Sequence, residues 1–177
     1  MYSHQIGRIV CGTGHRPNKL GGYDKSSENI VLSVAEKALK HHEPKLLISG
    51  MAQGWDMALA YAALLNRIPY VAAVPFKGQE LKWSKESQKH YRYLLKNANK
   101  VIYVNETYIG PWVMQERNEW MVKHSNTVLA LWDGSETGGT YNCLKFAKKH
   151  KHLDKSSVDI INYWKVYETI KKGKINE

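Results

Sequence analysis

Cysteine is scarce: Cys11 and Cys143 are the two in 177 residues, and they form neither a CxxC pair nor the framework of a secreted scaffold. A reducing compartment follows as the simpler expectation, and no disulfide is needed. Metal-binding spacing is missing as well. The eight histidines include no HExxH pattern; His41 and His42 fall at a helix end and His150 and His152 in a lysine-rich stretch, so no structural metal is expected. The opening MYSHQIGRIVCG has none of the parts of a secretory signal. No uninterrupted apolar run approaches the roughly 20 residues needed to cross a bilayer. A cytoplasmic protein without membrane contact is the expectation.

Acids are in short supply, with 26 Lys and Arg against 16 Asp and Glu for a net charge of +10. Summed positive potential concentrates anions and speeds their capture, but it does not choose among them. Much of the excess sits in Lys82, Lys85, Lys89 and Lys96, in Lys145, Lys148, Lys149 and Lys151, and in Lys171, Lys172 and Lys174. Solvated helix faces and a tail explain this pattern more simply than a nucleic-acid surface does. Internal repeats, low-complexity tracts and linkers are absent, and the length suits one domain. Its core is expected over residues 6–150, with a short extension over 151–177.

What is present is an alternation of apolar β-rich runs with longer helical patterns, the order of βα units in a parallel sheet. Strands are expected at 6–11, 45–49, 70–74, 100–104 and 127–132, with 158–161 as a short edge strand. Helices are expected at 26–42, 55–66, 84–98, 113–125 and 139–149. The fold expected is therefore α/β: a three-layer Rossmann-like arrangement around a mostly parallel sheet of five or six strands. In such a sheet every strand-to-helix loop opens on one side, and ligands bind outside the carboxyl ends of the strands. GTGHRP, SGMAQGWD, PFKGQE and DGSETGGT all fall in those loops.

Each loop has a functional reading and a plainer one. Gly12, Thr13, Gly14, His15 and Arg16 leave the first strand in a turn that permits close backbone approach, with Arg16 able to grip phosphate oxygens in a bidentate manner. The sequence is not GxGxxG, and an ordinary Gly/Pro turn explains it equally well. Ser49, Gly50 and Gly54 lead into the apolar helix that starts at Trp55, whose first amides can receive an anion. Asp56 either favours the helix dipole or, in the preferred reading, accepts hydrogen bonds from ribose hydroxyls at the pocket edge. Gly138, Gly139 and Thr140 open another helix and suit a phosphate; the alternative is a flexible loop ending in a threonine cap. Asp133 belongs to the same loop. Arg117 shares a helix face with Met121, and a surface ion pair with a glutamate is its plainer role.

Taken together, CGTGHRP, ISGMAQGWDMALAYAALL, PFKGQELKW and MQERNEWMVKHSNTVLALWDGSETGGTYNCLKFA resemble the SLOG superfamily. The likeness is to its YpsA-like branch, related to the LOG-type, lysine-decarboxylase-like phosphoribohydrolases. The resemblance spans about residues 6–150. It implies that the glycine loops and the GGT hold the phosphate and ribose of a nucleotide-derived ligand, with Gly54 and Asp56 matching a glycine and acid of the YpsA-like branch. Arg117 and Met121 match the ERxxxM helix of LOG-type enzymes, whose arginine serves catalysis. The matching GGxGTxxE loop is broken, because Cys143 stands where the catalytic glutamate belongs. A thiol does not replace a carboxylate in N-glycoside hydrolysis, unless Asp56, Glu119 or Asp133 takes the role.

The preferred expectation is therefore a binding protein without a cofactor or catalytic residues of its own. It would capture a nucleotide or an ADP-ribose-like signal, as receptor or sequestering protein; the superfamily implies antiviral signalling and homo-oligomers. The first alternative is an enzyme that hydrolyses nucleoside monophosphates or related N-glycosides. The second is a single-stranded nucleic-acid binder, with Trp83, Tyr91, Tyr93, Tyr103 and Tyr108 as candidate stacking residues.

Overall fold

The computed structural model describes residues 8–175. Its strands are β1 (Ile9–Gly14), β2 (Leu46–Ser49), β3 (Tyr70–Phe76), β4 (Lys100–Asn105), β5 (Thr127–Leu131) and β6 (Asp159–Asn162). They form one sheet in the order β4-β3-β2-β1-β5-β6, parallel at every pairing. The chain winds outward from β1 to β4, then crosses back to lay β5 on the other side of β1. The switch point therefore lies between β1 and β5, where an open α/β sheet leaves its crevice.

The helices are α1 (Lys25–His42), α2 (Trp55–Leu65), α3 (Lys85–Asn97), α4 (Trp112–Lys123), α5 (Gly139–Lys149) and α6 (Trp164–Ile175). Contacts place α1, α2, α3 and α6 in one layer and α4 with α5 in the other. Each layer has its own apolar core: Val34, Leu39, Trp55, Leu59 and Leu94 lie in the first, and Met121, Val128, Cys143 and Leu144 in the second. None of the described helices is long and apolar enough to cross a membrane. The expected three-layer α/β fold with a six-stranded sheet is what the chain adopts.

Two expectations need correction. The sequence pattern puts the first strand at 6–11, but it runs from Ile9 to Gly14; residues 6 and 7 lie outside the described residues. Gly12, Thr13 and Gly14 read as a turn, yet they pair with Leu129, Ala130 and Leu131 inside the sheet. The physical reason is close packing, because glycine in a strand often marks an approach that no side chain permits. A Cβ on Gly12 would stand 2.3 Å from Leu59 Cδ1, and one on Gly14 would stand 2.6 Å from the Trp55 side chain. The second correction concerns the carboxyl end, expected as an extension with a lysine tail. Instead, α6 packs on α1 and β5, Tyr163 and Tyr167 enter the core, and the Tyr163 hydroxyl meets His42 Nε2 at 2.7 Å.

Gly14→Ala is expected to lower stability by about 1–3 kcal/mol, the usual cost of overpacking a core. Gly139→Ala, at a position with nothing within 4 Å of an added Cβ, should stay within about 0.5 kcal/mol of wild type. Denaturant midpoints of the two variants measure the contrast.

Candidate functional site

The loop after β1 is fixed from three directions. His15 N donates to Leu131 O at 3.1 Å, and Trp55 N donates to His15 O at 3.3 Å. On the side chain, the Asp133 amide lies 3.0 Å from His15 Nε2, and the same nitrogen stands 2.9 Å from Asp133 Oδ1. Whichever tautomer the ring takes, it has a partner on Asp133. Asp133 also accepts from the Ser135 amide at 2.9 Å and the Ser135 hydroxyl at 2.6 Å, and these bonds hold its carboxyl below the ordinary range. His15 thus joins the start of α2 to the loop that leads into α5, across the switch point.

The loop after β2 closes on itself. Ser49 Oγ donates to Asp56 O at 2.8 Å and accepts from Met51 N at 3.2 Å. Met51 sits at a φ of 60°, a left-handed conformation uncommon for a side-chain-bearing residue. Gln79, from the loop after β3, donates Nε2 to Met51 O at 3.3 Å and to the Tyr91 hydroxyl at the same distance. Sequence reading named the PFKGQE loop but not this residue. No local pattern marks it, because its partners lie on a neighbouring strand's loop and on α3.

Arg117 departs most from its plainer reading. It is 4% exposed, and no carboxylate among the described residues lies within 4 Å of its guanidinium. Its Nη1 donates to Gly50 O and to Ala73 O at 3.3 Å, while Nε donates to Asn118 Oδ1 at 2.9 Å. It therefore clamps a carbonyl just after β2 and one in the middle of β3. Gly50 leaves the room: a Cβ there would come within 2.6 Å of the guanidinium and 2.8 Å of Asp56 Oδ2. Asp56 is 6% exposed and accepts a long hydrogen bond from Ala52 N at 3.4 Å. Burial pushes its carboxyl up from the ordinary value, while Arg117, the Ala52 amide and Arg16 pull it back. Arg16 itself is exposed.

Next to this charged group stands the start of α5. Cys143, in its second turn, is buried; burial raises its thiol to about 11, and the Thr13 hydroxyl, Arg117 and Asp56 all act on it. The amino end of α5 is open. Gly138 takes a φ of 93° without a side-chain cap, and an added Cβ on Gly138 or Gly139 would meet nothing within 4 Å. At α2, by contrast, the Trp55 amide is taken by His15 O, and a Cβ on Gly54 would stand 2.5 Å from that same oxygen.

The expected site residues therefore fall into three groups. Arg16, Asp133, Gly138, Gly139 and Thr140 are wholly or partly exposed at the carboxyl edge. Gly50, Asp56 and Arg117 form a buried charged floor. Gly12, Thr13, His15, Ser49, Gly54 and Trp55 hold the frame, with Trp55 fully buried and its indole donating to Leu129 O at 2.9 Å. At Gly12 and Trp55 the helix fills the space the glycine leaves.

Comparison with known proteins follows the same lines. The family model described as the YspA SLOG family matches residues 10–166. The SPbeta prophage-derived protein YoqJ of Bacillus subtilis is 33% identical over 135 residues, covering 67% of this chain and 78% of that protein. A UPF0398 protein of Brevibacillus brevis is 28% identical over 151 residues, 77% of this chain and 79% of its own. Among solved structures, DNA processing protein A from Helicobacter pylori, described for its single-stranded DNA binding mode, superposes with a TM-score of 0.56 at 15% identity. That match covers 97% of this chain and 82% of the other. The Streptococcus pneumoniae protein of the same name gives 0.55 at 16% identity over 96% of this chain, which spans 57% of that longer chain. At such identities the likeness is one of fold.

Asp56 sets a pH dependence. Its folded pKa lies above the ordinary 3.8 because burial disfavours the charge. Its contribution to stability is therefore full below that value and lost as pH rises through the folded pKa. Asp56→Asn should melt at a higher temperature than wild type at pH 7, and the gap should close as pH is lowered towards 3.8. Thermal melts across this range provide the measurement.

Proposed function

The chain belongs to the YspA SLOG family, and from that footing we propose that it binds a phosphorylated, nucleotide-derived small molecule at the carboxyl edge of its sheet, as a receptor or sequestering protein. The observation that carries this reading is the uncapped, unobstructed start of α5 at Gly138 and Gly139. Free amides at a helix start, with the dipole behind them, favour a phosphate group. Arg16 supplies an accessible cation and Arg117 a buried one. Asp56 lies where both act on it, and its carboxylate suits ribose hydroxyls that donate hydrogen bonds.

Binding is favoured over LOG-type hydrolysis by the state of position 143. There the resemblance places a carboxylate, but the chain has a thiol that is buried and raised to about 11. At neutral pH it is protonated and packed, so it neither steadies an oxocarbenium-like sugar nor activates water. Among the acids that could stand in, Asp56 is the one whose raised pKa suits proton transfer.

A second reading is single-stranded DNA binding. It has support from the net charge of +10 and from the fold shared with the two DNA processing proteins. Lys145 lies over the Tyr141 ring at 5.3 Å, Lys123 lies over Phe146 at 5.8 Å, and α5 also carries Lys148 and Lys149. Binding of this kind weakens steeply with salt as counterions are released.

The test is calorimetric titration with AMP and ADP-ribose, followed by chromatography for released base. Gly139→Asp adds a negative charge in open space and should weaken nucleotide binding at least tenfold with an unchanged melting temperature. Wild-type affinity in this variant would remove the phosphate seat from α5. Sustained base release abolished by Asp56→Asn would make the protein an enzyme, and affinity confined to oligonucleotides at low salt would favour the second reading.

A further inference from the structure

A separate cavity lies elsewhere in the molecule. Its volume is about 380 Å³, and it occupies the angle between the first turns of α1, α2 and α3, on the opposite face of the sheet from α4 and α5. That size is at the lower end for small-molecule pockets. The lining includes neither Arg16 nor Asp133, and no residue of α4 or α5.

Its chemistry is unlike that of the α5 start. One wall is apolar and aromatic, formed by Met57, Ala58 and Tyr61 of α2. The Tyr61 ring stands edge-to-face with that of His90 at 5.1 Å and 85°. The charged lining is Glu28 and Glu86 against Lys25, and burial and Lys25 together press His90 towards its neutral form. With two carboxylates against one ammonium, the lining side chains offer acceptors to a donor-bearing or cationic group. At the mouth, Lys25 Nζ lies 3.5 Å from Glu86 and 3.9 Å from Glu28, with all three side chains at least half exposed. Such a solvent-screened pair opens at little cost. The lining is completed by Gln53 and Gly54, from the same loop that carries Gly50 and Asp56.

We infer that this cavity is a second small-molecule site, which takes an unphosphorylated, amino-bearing planar heteroaromatic of the nucleoside class. The ring packs against Met57 and Tyr61, whose aromatic face suits a planar partner. Its exocyclic amine donates to the Glu28 carboxylate, and the Gln53 side chain offers a further donor and acceptor. The inference does not depend on what the α5 start binds.

The test is titration of the full chain with adenosine and inosine, which differ in that inosine carries a carbonyl in place of the amine. Adenosine should bind with a stoichiometry of one and inosine at least tenfold more weakly. Glu28→Gln, a change at a half-exposed side chain that leaves the fold intact, should weaken adenosine at least fivefold, and Tyr61→Ala at least tenfold. If Tyr61→Ala does not fold, Ser87→Trp, which fills the cavity from α3, should abolish the binding. Gly139→Asp should leave adenosine affinity unchanged. The inference is overturned if adenosine does not bind at millimolar concentration, if inosine binds equally well, or if the cavity variants bind adenosine as wild type does. Loss of adenosine binding in Gly139→Asp would also overturn it, by placing the nucleoside at α5.

Discussion

The indole of Trp55 against the bare backbone of β1 is the contact on which the carboxyl edge depends. Where it passes, β1 carries Gly12 and Gly14, and a Cβ on Gly14 would fall 2.6 Å from the Trp55 side chain. From this position the indole donates to Leu129 O on β5, so a single residue at the start of α2 reaches across β1 to the far side of the switch point. The backbone follows, with the Trp55 amide on His15 O and the His15 ring on Asp133. Three chain segments distant in sequence are thereby held in one register. An open α/β sheet offers a crevice at this place, and here the crevice has a rigid divider.

Electrostatics then distinguish the two sides of that divider. Towards α4 and α5, the guanidinium of Arg117 is buried with Asp56 near it, though outside ion-pair distance, and the α5 start is open. Burying a charge without a directly bonded counter-ion is costly. The chain offsets that cost with carbonyl oxygens from Gly50 and Ala73. Such a buried charge is a weak source of stability, since an apolar floor of similar shape is often no less stable. Towards α1, α2 and α3, two carboxylates stand against one ammonium and one wall carries the Tyr61 and His90 rings. One edge of one sheet thus presents two surfaces of different chemistry.

Much of the fold was readable from local pattern. Apolar runs marked β2 to β5 to within a few residues, and the helical period with its Ser84 and Gly138 starts marked α3 and α5. What escaped was decided by contacts between distant segments. Gly12 and Gly14 looked like a turn, because nothing near them in sequence reveals that Leu59 and Trp55 fill the space. The lysines of α6 resembled a tail, and Tyr163 and Tyr167 became core residues only once α1 was laid beside them. At the site, Arg117 could be picked out by its resemblance to an ERxxxM helix, but its carbonyl clamp could not. Gln79 had no signature at all, since its partners belong to another loop and another helix.

The most direct measurement is a crystal structure of the protein with the ligand it retains from the cell, identified beforehand by native mass spectrometry. An intact nucleotide should be found with phosphate oxygens about 2.7–3.2 Å from the backbone amides of Gly139 and Thr140, and its ribose towards Asp56. A phosphate seated elsewhere, or a base already parted from its sugar in the crevice, would contradict that arrangement.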